Sequence, residues 1–314
     1  MAAYVARRLL EAVPVVILAS IFVFAILQIV PGDPAVNIAG EDARDEDVQA
    51  VRERLGLDRP VAQQYVSWIG DALSGDLGTS FRASRPVRTM IGDAMGPTLE
   101  LTIAAFLIEL SVGIPLGVLA GVHLRSAWDW GLSGFSVIGI AVPHFVLGLV
   151  LLYLVGFRLG WLPIGGRVAF TSDPLESIRY LILPAFVLGI TGAAVLARFV
   201  RTAVAQVMHQ DYIRTGRAKG LRERSVIVRH ALRNGMLPVV TVIALQLAGL
   251  LAGSVVIENV FSRPGIGRLV VSSIQARDYP AVQGALLVLV GVFIAANLLA
   301  DLLYGAVDPR IRYR

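Results

Sequence analysis

Six stretches of this 314-residue chain are apolar for about as long as a helix must be to cross a bilayer: 9–30, 98–119, 131–155, 180–200, 237–257 and 281–304. A helical span of the hydrocarbon core takes ~20 residues. Within that core every backbone N–H and C=O needs an internal partner, which makes helices the spanning element for runs of this length. Only 16% of the residues are charged, against about a quarter in a soluble domain. The chain has no cysteine, which excludes disulfides, thiolate metal sites and cysteine nucleophiles. Arg7 and Arg8 precede the first apolar run as they would in a secretory signal. That run outlasts the ~7–15 apolar residues of such a signal, so it is read as a retained helix.

Six spans put both termini on one side. Arg7, Arg8, Arg125, the cluster from Arg198 to Arg233, and Arg310, Arg312 and Arg314 share it. The opposite short loops carry Arg158, Arg167 and Arg179, then Arg263, Arg268 and Arg277. Short loops rich in Arg and Lys stay in the cytoplasm, so both termini are expected there. The same asymmetry accounts for the net charge of +5 and gives no reason to invoke nucleic acid as a partner.

The segment 31–97 is too long for a plain connector. Val48, Val51, Leu55 and Leu57 recur at helical spacing, as do Tyr65, Trp68, Ile69 and Leu73. A small helical insert on the outer face is therefore expected, with a disordered insert as its alternative. The chain divides into the N-terminus and first helix (1–30), this insert (31–97), a five-helix core (98–305) containing a hairpin at 201–236, and a cytoplasmic tail (306–314).

The hairpin is the most charged part of an otherwise greasy chain. Arg214, Arg217, Lys219, Arg222, Arg224, Arg229 and Arg233 stand there against Asp211 and Glu223. Val204, Val207, Met208 and Tyr212 mark one helix and Leu221, Val228 and Leu232 a second, with Gly220 as the turn between them. A basic amphipathic element lying on anionic headgroups would explain the charge. It would not explain the small residues Thr215, Gly216 and Ala218 before the turn, which allow another surface to approach the backbone closely.

The stretch "DYIRTGRAKGL…RHALRN…LP" resembles the cytoplasmic EAA loop of ABC-importer permeases, in particular the dipeptide/oligopeptide/nickel branch. Gly220 matches the family glycine, and Thr215 and Gly216 match the small positions before it. Arg214 stands at the acidic first position of the general motif, and Arg233 replaces its closing Pro; the peptide branch shares these departures. Further resemblances run along nearly the whole chain: "ARRLLEAVPVV…VPGDPA", "PTLELTIAAFLIEL", "VPHFVLGLVLLYLVGFRLGWLPIGG", "YLILPAFVLG" and "SVVIENVFSRPGIGRLVVSSIQARDYPAVQG". The resemblance implies half of a translocation pathway in a bacterial inner membrane. Its partners would be a second, similar permease, two ATPase subunits that hold ATP and Mg, and an extracytoplasmic substrate-binding protein. It also implies that the ATPases grip Asp211, Arg214, Thr215, Gly216, Arg217, Ala218, Lys219, Gly220, Leu221 and Glu223.

No catalytic chemistry is legible. No Gly-Lys-Ser/Thr element of a phosphate-binding loop occurs, and four His without Cys give no zinc spacing. This chain is expected to bind no cofactor and to be no enzyme. Embedded polar groups are costly and mark pathways or helix contacts. The pathway candidates are Gln28, Glu109, His144, Gln246, Glu258 and Asn297, with Glu100 and Asp301 as further polar positions. His144 stands where the family resemblance would place a small hydroxyl residue. Nickel complexes and glutathione are alternatives to peptide cargo within this class. A secondary transporter with Glu109 and His144 as proton carriers is a different class, set against the lack of visible repeats between the two halves. A channel is disfavoured for want of a filter segment.

Overall fold

A computed structural model of the chain describes residues 2–29, 34–39, 43–54 and 56–307. Among these described residues twelve helices follow in order: α1 (Ala2–Ile29), α2 (Pro34–Ala39), α3 (Asp45–Arg54), α4 (Val61–Leu73), α5 (Val87–Val122), α6 (Ala127–Ala141), α7 (His144–Arg158), α8 (Pro174–Met208), α9 (Asp211–Ala218), α10 (Glu223–Val260), α11 (Ile266–Gln275) and α12 (Tyr279–Val307). Strands are absent among the described residues, apart from one isolated bridge between Thr79 and Pro86. Among the described residues five helices are long and apolar enough to cross a membrane, and six spans result if the bent pair α6–α7 is one of them.

That bend is the clearest departure from the expected continuous third span over 131–155. α6 and α7 meet at 97°. Pro143 explains the break, because it lacks an N–H and pushes the preceding residue out of the helical region. Val142 is accordingly extended (φ −85°, ψ 117°). Beyond the elbow, the last turns of α7 loosen into a π-helical run over Leu152–Arg158. The second span also differs from expectation: its helix begins at Val87, well before the apolar run at 98.

The chain forms two compact units. The first comprises 98–263 and the chain from 295 onward; the second comprises 2–97 and 264–294.

In the first unit α8 is the central post. Its start is specified locally: the Asp173 side chain accepts a hydrogen bond from the Glu176 N–H at 3.0 Å, and Pro174 occupies the first turn. Leu183, Val187 and Leu188 of α8 are buried with Leu101 and Ala105 of α5 and Leu250 and Ile257 of α10. Further along, Leu196, Val200, Val204 and Met208 pack with Ile213, Val226, Ala231 and Val239. Gly113, Gly117 and Gly121 form a column on α5 against α8. A Cβ at Gly117 would lie 2.5 Å from the Ala197 carbonyl oxygen, and one at Gly121 2.8 Å from that of Arg201. Small residues at four-residue spacing let two membrane helices approach to backbone distance.

In the second unit α4 packs on α1. Ser20 Oγ and Tyr65 OH share a hydrogen bond of 2.8 Å, and the Phe24 ring lies 5.5 Å from that of Tyr65 and 5.7 Å from that of Trp68. The insert is therefore helical, and Tyr65 and Trp68 form its packing face as the spacing predicts. Leu73, assigned to the same face, is instead exposed, since it closes the last turn of α4 beyond the contact. Val48 and Val51 are half-buried on α3, Leu57 falls in a turn, and Leu55 lies outside the described residues. Val87, Ile91 and Ala94 form a second small core with Ile266, Val270, Ala281 and Ala285. Buried Asp278 accepts hydrogen bonds from Ser80 Oγ and the Phe81 N–H, pinning the loop ahead of α5. Most of the tail 306–314 lies outside the described residues.

Candidate functional site

The basic hairpin is built around one short helix. α9 presents Asp211, Arg214, Thr215, Arg217 and Ala218 to solvent and buries one residue, Ile213, at 1% exposure. Ile213 is the anchor, and it joins the cluster of Met208, Val226 and Ala231. Gly220 ends the helix in the left-handed region (φ 77°), its N–H donating to the Arg217 carbonyl at 2.9 Å and that of Leu221 to the Gly216 carbonyl at 3.3 Å. Only glycine reaches that conformation without strain. Gly216 is half-buried, and Leu221 would meet a Cβ placed there at 3.5 Å. Across the turn Arg217 donates to both Glu223 oxygens, at 2.6 and 3.1 Å, which raises the guanidinium pKa above its usual value. Lys219, Gly220, Leu221 and Glu223 remain exposed. The arrangement is a small stapled projection whose open sides are mostly charged or polar, with Leu221 exposed at its tip.

The two expected hairpin helices resolve differently. Val204, Val207 and Met208 belong to α8, and a break at His209–Gln210 separates them from Tyr212 on α9. The second limb is the start of α10, which runs unbroken from Glu223 through a π-helical turn over Val226–Leu232 and onward to Val260. The Asn234 amide of α10 donates to the Tyr212 hydroxyl at 3.0 Å, tying the projection to its root. Beside that tie lies an open groove of about 420 Å³, lined by residues of α8, α9 and α10.

Two of the embedded candidates meet. Gln246 of α10 donates to Glu109 Oε1 at 2.7 Å and to the Gly192 carbonyl at 3.0 Å, joining α5, α8 and α10. Glu109 has no exposed surface, and its Oε2 lies where a Cβ on Gly192 would stand. The absence of a side chain at Gly192 is what admits the carboxyl group.

At the far end of α10, Glu258 is fully buried and accepts a hydrogen bond from Thr98 Oγ1 at 2.6 Å. Nearby, Glu100 receives Arg167 through two bonds of 2.6 and 3.0 Å and Arg263 through one of 2.6 Å. Arg263 is only 1% exposed. Burial pulls its pKa below the usual arginine value, and Glu100 opposes that shift. Residue counting treated Arg167 and Arg263 as loop cations; the structure makes them structural partners of one carboxylate. His144 is half-buried as the first residue of α7, directly after the elbow. Gln28 is exposed and donates to Gln64 at 3.4 Å, and Asn297 is half-buried on α12.

Sequence reasoning missed one pair altogether. Asp129, in the first turn of α6, is held by a two-pronged contact with Arg201 of α8 and also accepts the Arg125 N–H at 2.9 Å. The available signal was an aspartate between Trp128 and Trp130 at the edge of an apolar run.

Long apolar helices, a glycine-packed post and a stapled basic projection are the features of a multi-pass helical membrane protein. Comparison with known proteins is specific. Residues 113–313 match the family described as binding-protein-dependent transport system inner membrane component, and residues 1–102 match its N-terminal region. A peptide transport system permease protein of Brucella abortus (strain 2308) is 43% identical over 314 residues, covering 100% of both chains. The glutathione transport system permease protein GsiC of Escherichia coli (strain K12) is 42% identical over 312 residues, covering 99% of each. The fold resembles an inward-facing structure of the MetNI methionine ABC transporter, with a TM-score of 0.58 at 18% identity over 70% of this chain and 96% of that one. The chain belongs to the binding-protein-dependent transport system inner membrane component family, the permease subunits of ABC importers. Members are transport components rather than enzymes, and the family implies ATPase and substrate-binding-protein partners.

Proposed function

We propose that this chain is one half of the translocation pathway of an importer for short peptides in a bacterial inner membrane, with both termini and α9 in the cytoplasm and 31–97 outside. The carrying observation is the shape of α9: a polar projection anchored by Ile213 and closed by the Gly220 turn. Two ATPase subunits, which hold ATP and Mg, engage Asp211, Arg214, Thr215, Gly216, Arg217, Ala218, Lys219, Gly220, Leu221 and Glu223. Their closure pushes the projection, and the push enters α8 and α10, the helices that flank it. A stapled element suits that task because a slack loop would absorb the motion. A second permease completes the pathway and a substrate-binding protein delivers the cargo. Gln28, Glu109, His144, Gln246, Glu258 and Asn297 are the polar positions proposed to face or gate that pathway as the helices move.

Peptide cargo is favoured by the Brucella relative's name, and the glutathione permease relative keeps a tripeptide within the same chemical class. The test of coupling is Gly220→Pro in the assembled transporter. Proline fixes φ near −65°, whereas Gly220 has φ 77° and donates its N–H to Arg217. The variant is expected to insert and assemble but to lose ATP hydrolysis stimulated by loaded binding protein. Retained stimulation would overturn the role of α9.

A further inference from the structure

The cavity at the root of the projection has no part in the function described above. It is an open groove of about 420 Å³, lined by Ala203, Gln206 and Val207 of α8, Gln210 and Tyr212 at the start of α9, and Asn234, Gly235, Leu237 and Pro238 of α10, with Ala203 and Gly235 buried at its floor. That volume lies in the range of small-molecule sites, ~300–1,000 Å³.

Its chemistry narrows the ligand. No lining residue is charged, which argues against nucleotides, phosphates and metal ions. Three primary amides and a phenol supply paired donors and acceptors, the pattern that complements a peptide bond. Val207, Leu237 and Pro238 supply the apolar wall for a short side chain.

Its position gives a consequence. The lining comes from the last turns of α8, the start of α9 and the stretch Asn234–Pro238 inside α10, the two helices that flank α9, and the Tyr212–Asn234 hydrogen bond runs beside it. A body seated there resists any approach of those segments. A ligand that prefers the open arrangement shifts the equilibrium toward it by its differential affinity.

From this geometry we infer that the cavity is a cytoplasmic site for a short peptide with small or uncharged side chains, and that its occupation slows ATP hydrolysis by holding the root of α9 open. The inference rests on the peptide reading and the orientation proposed above. The imported product would thus limit its own uptake.

The test uses the full transporter in sealed inside-out proteoliposomes, with binding protein and transported peptide in the lumen and ATP and Ala-Ala added outside, on the cytoplasmic face. Stimulated ATP hydrolysis is expected to fall at least threefold as Ala-Ala rises to millimolar levels. A diazirine-bearing Ala-Ala analogue is expected to label residues 203–212 or 234–238. Gln206→Phe, which fills the cavity from an exposed position, is expected to abolish both inhibition and labelling while peptide uptake persists. Gln206→Asn, which keeps the amide, is expected to retain inhibition. Inhibition unchanged in Gln206→Phe, or labelling confined to the mid-membrane part of the helices, would overturn the site. Normal peptide uptake without any inhibition would sink this inference and leave the peptide-import reading standing. Failure of uptake for every peptide tested would sink both.

Discussion

Arg263 places its guanidinium 2.6 Å from the Glu100 carboxylate although 163 residues separate them, and it does so at 1% exposure. Glu100 also holds Arg167, so one carboxylate joins α5, the loop before α8 and the segment just after α10. Removing one partner from a buried ion pair costs ~3–5 kcal/mol. Glu100→Gln is therefore expected to lower the detergent melting temperature markedly. Arg167→Gln is expected to cost less, because that side chain is 24% exposed and Glu100 still serves Arg263. The reverse order would refute the assignment of Glu100 as a main partner of Arg263, beside the nearby charge of Glu258.

Glu109 and Gln246 differ in what their loss leaves behind. Gln246→Leu strips the donor from a carboxyl group with no exposed surface, which costs about 1–3 kcal/mol. Glu109→Gln keeps size and hydrogen-bonding capacity, so its melting temperature should stay close to that of the parent protein. Uptake assays on Glu109→Gln then separate the two roles: a folded variant that fails to transport places the carboxyl group on the pathway, and a folded variant that transports makes it a tie between helices.

The glycine column predicts a sharp contrast between substitutions of equal size. Gly117→Ala puts a methyl group 2.5 Å from the Ala197 carbonyl oxygen and 2.6 Å from Val200 Cβ, an overpacking that costs ~1–3 kcal/mol. Gly134→Ala on α6 meets nothing within 4 Å and should be neutral or slightly stabilising. Thermal unfolding of the two variants in the same detergent checks this.

Asp129 caps the loop before α6 as well as pairing with Arg201. Asp129→Ala should speed amide exchange across 125–129 roughly tenfold, the equivalent of about 1.4 kcal/mol. Exchange at α9 serves as the internal control, since Ile213 packs in a different cluster.

Helices written in runs of apolar residues were legible, because burial in lipid demands nothing beyond length and hydropathy. Gly220 was legible for a local reason: a glycine between two polar helical segments marks a left-handed turn. Pro143 also stood in the sequence, but an apolar run read by length alone hides an elbow, and only the backbone shows that α7 departs at 97°. The continuity of α10 from Glu223 was concealed by the change from basic to apolar composition, which looks like a boundary while the hydrogen-bonded spiral carries on through it. Asp129–Arg201 and Glu100–Arg263 were beyond reach for another reason. Their members lie 72 and 163 residues apart, and a single chain carries no local pattern that couples such positions.

With Gly113, Gly117 and Gly121 nested against the carbonyls of Ala193, Ala197 and Arg201, those stretches of α5 and α8 behave as a splint rather than as two independent rods. If α9 is pushed as proposed, a displacement arriving at the break after Met208 would be carried by both helices together. The bend at Val142–Pro143 and the π-helical run over Val226–Leu232 are, among the described residues, places where such regular packing gives way.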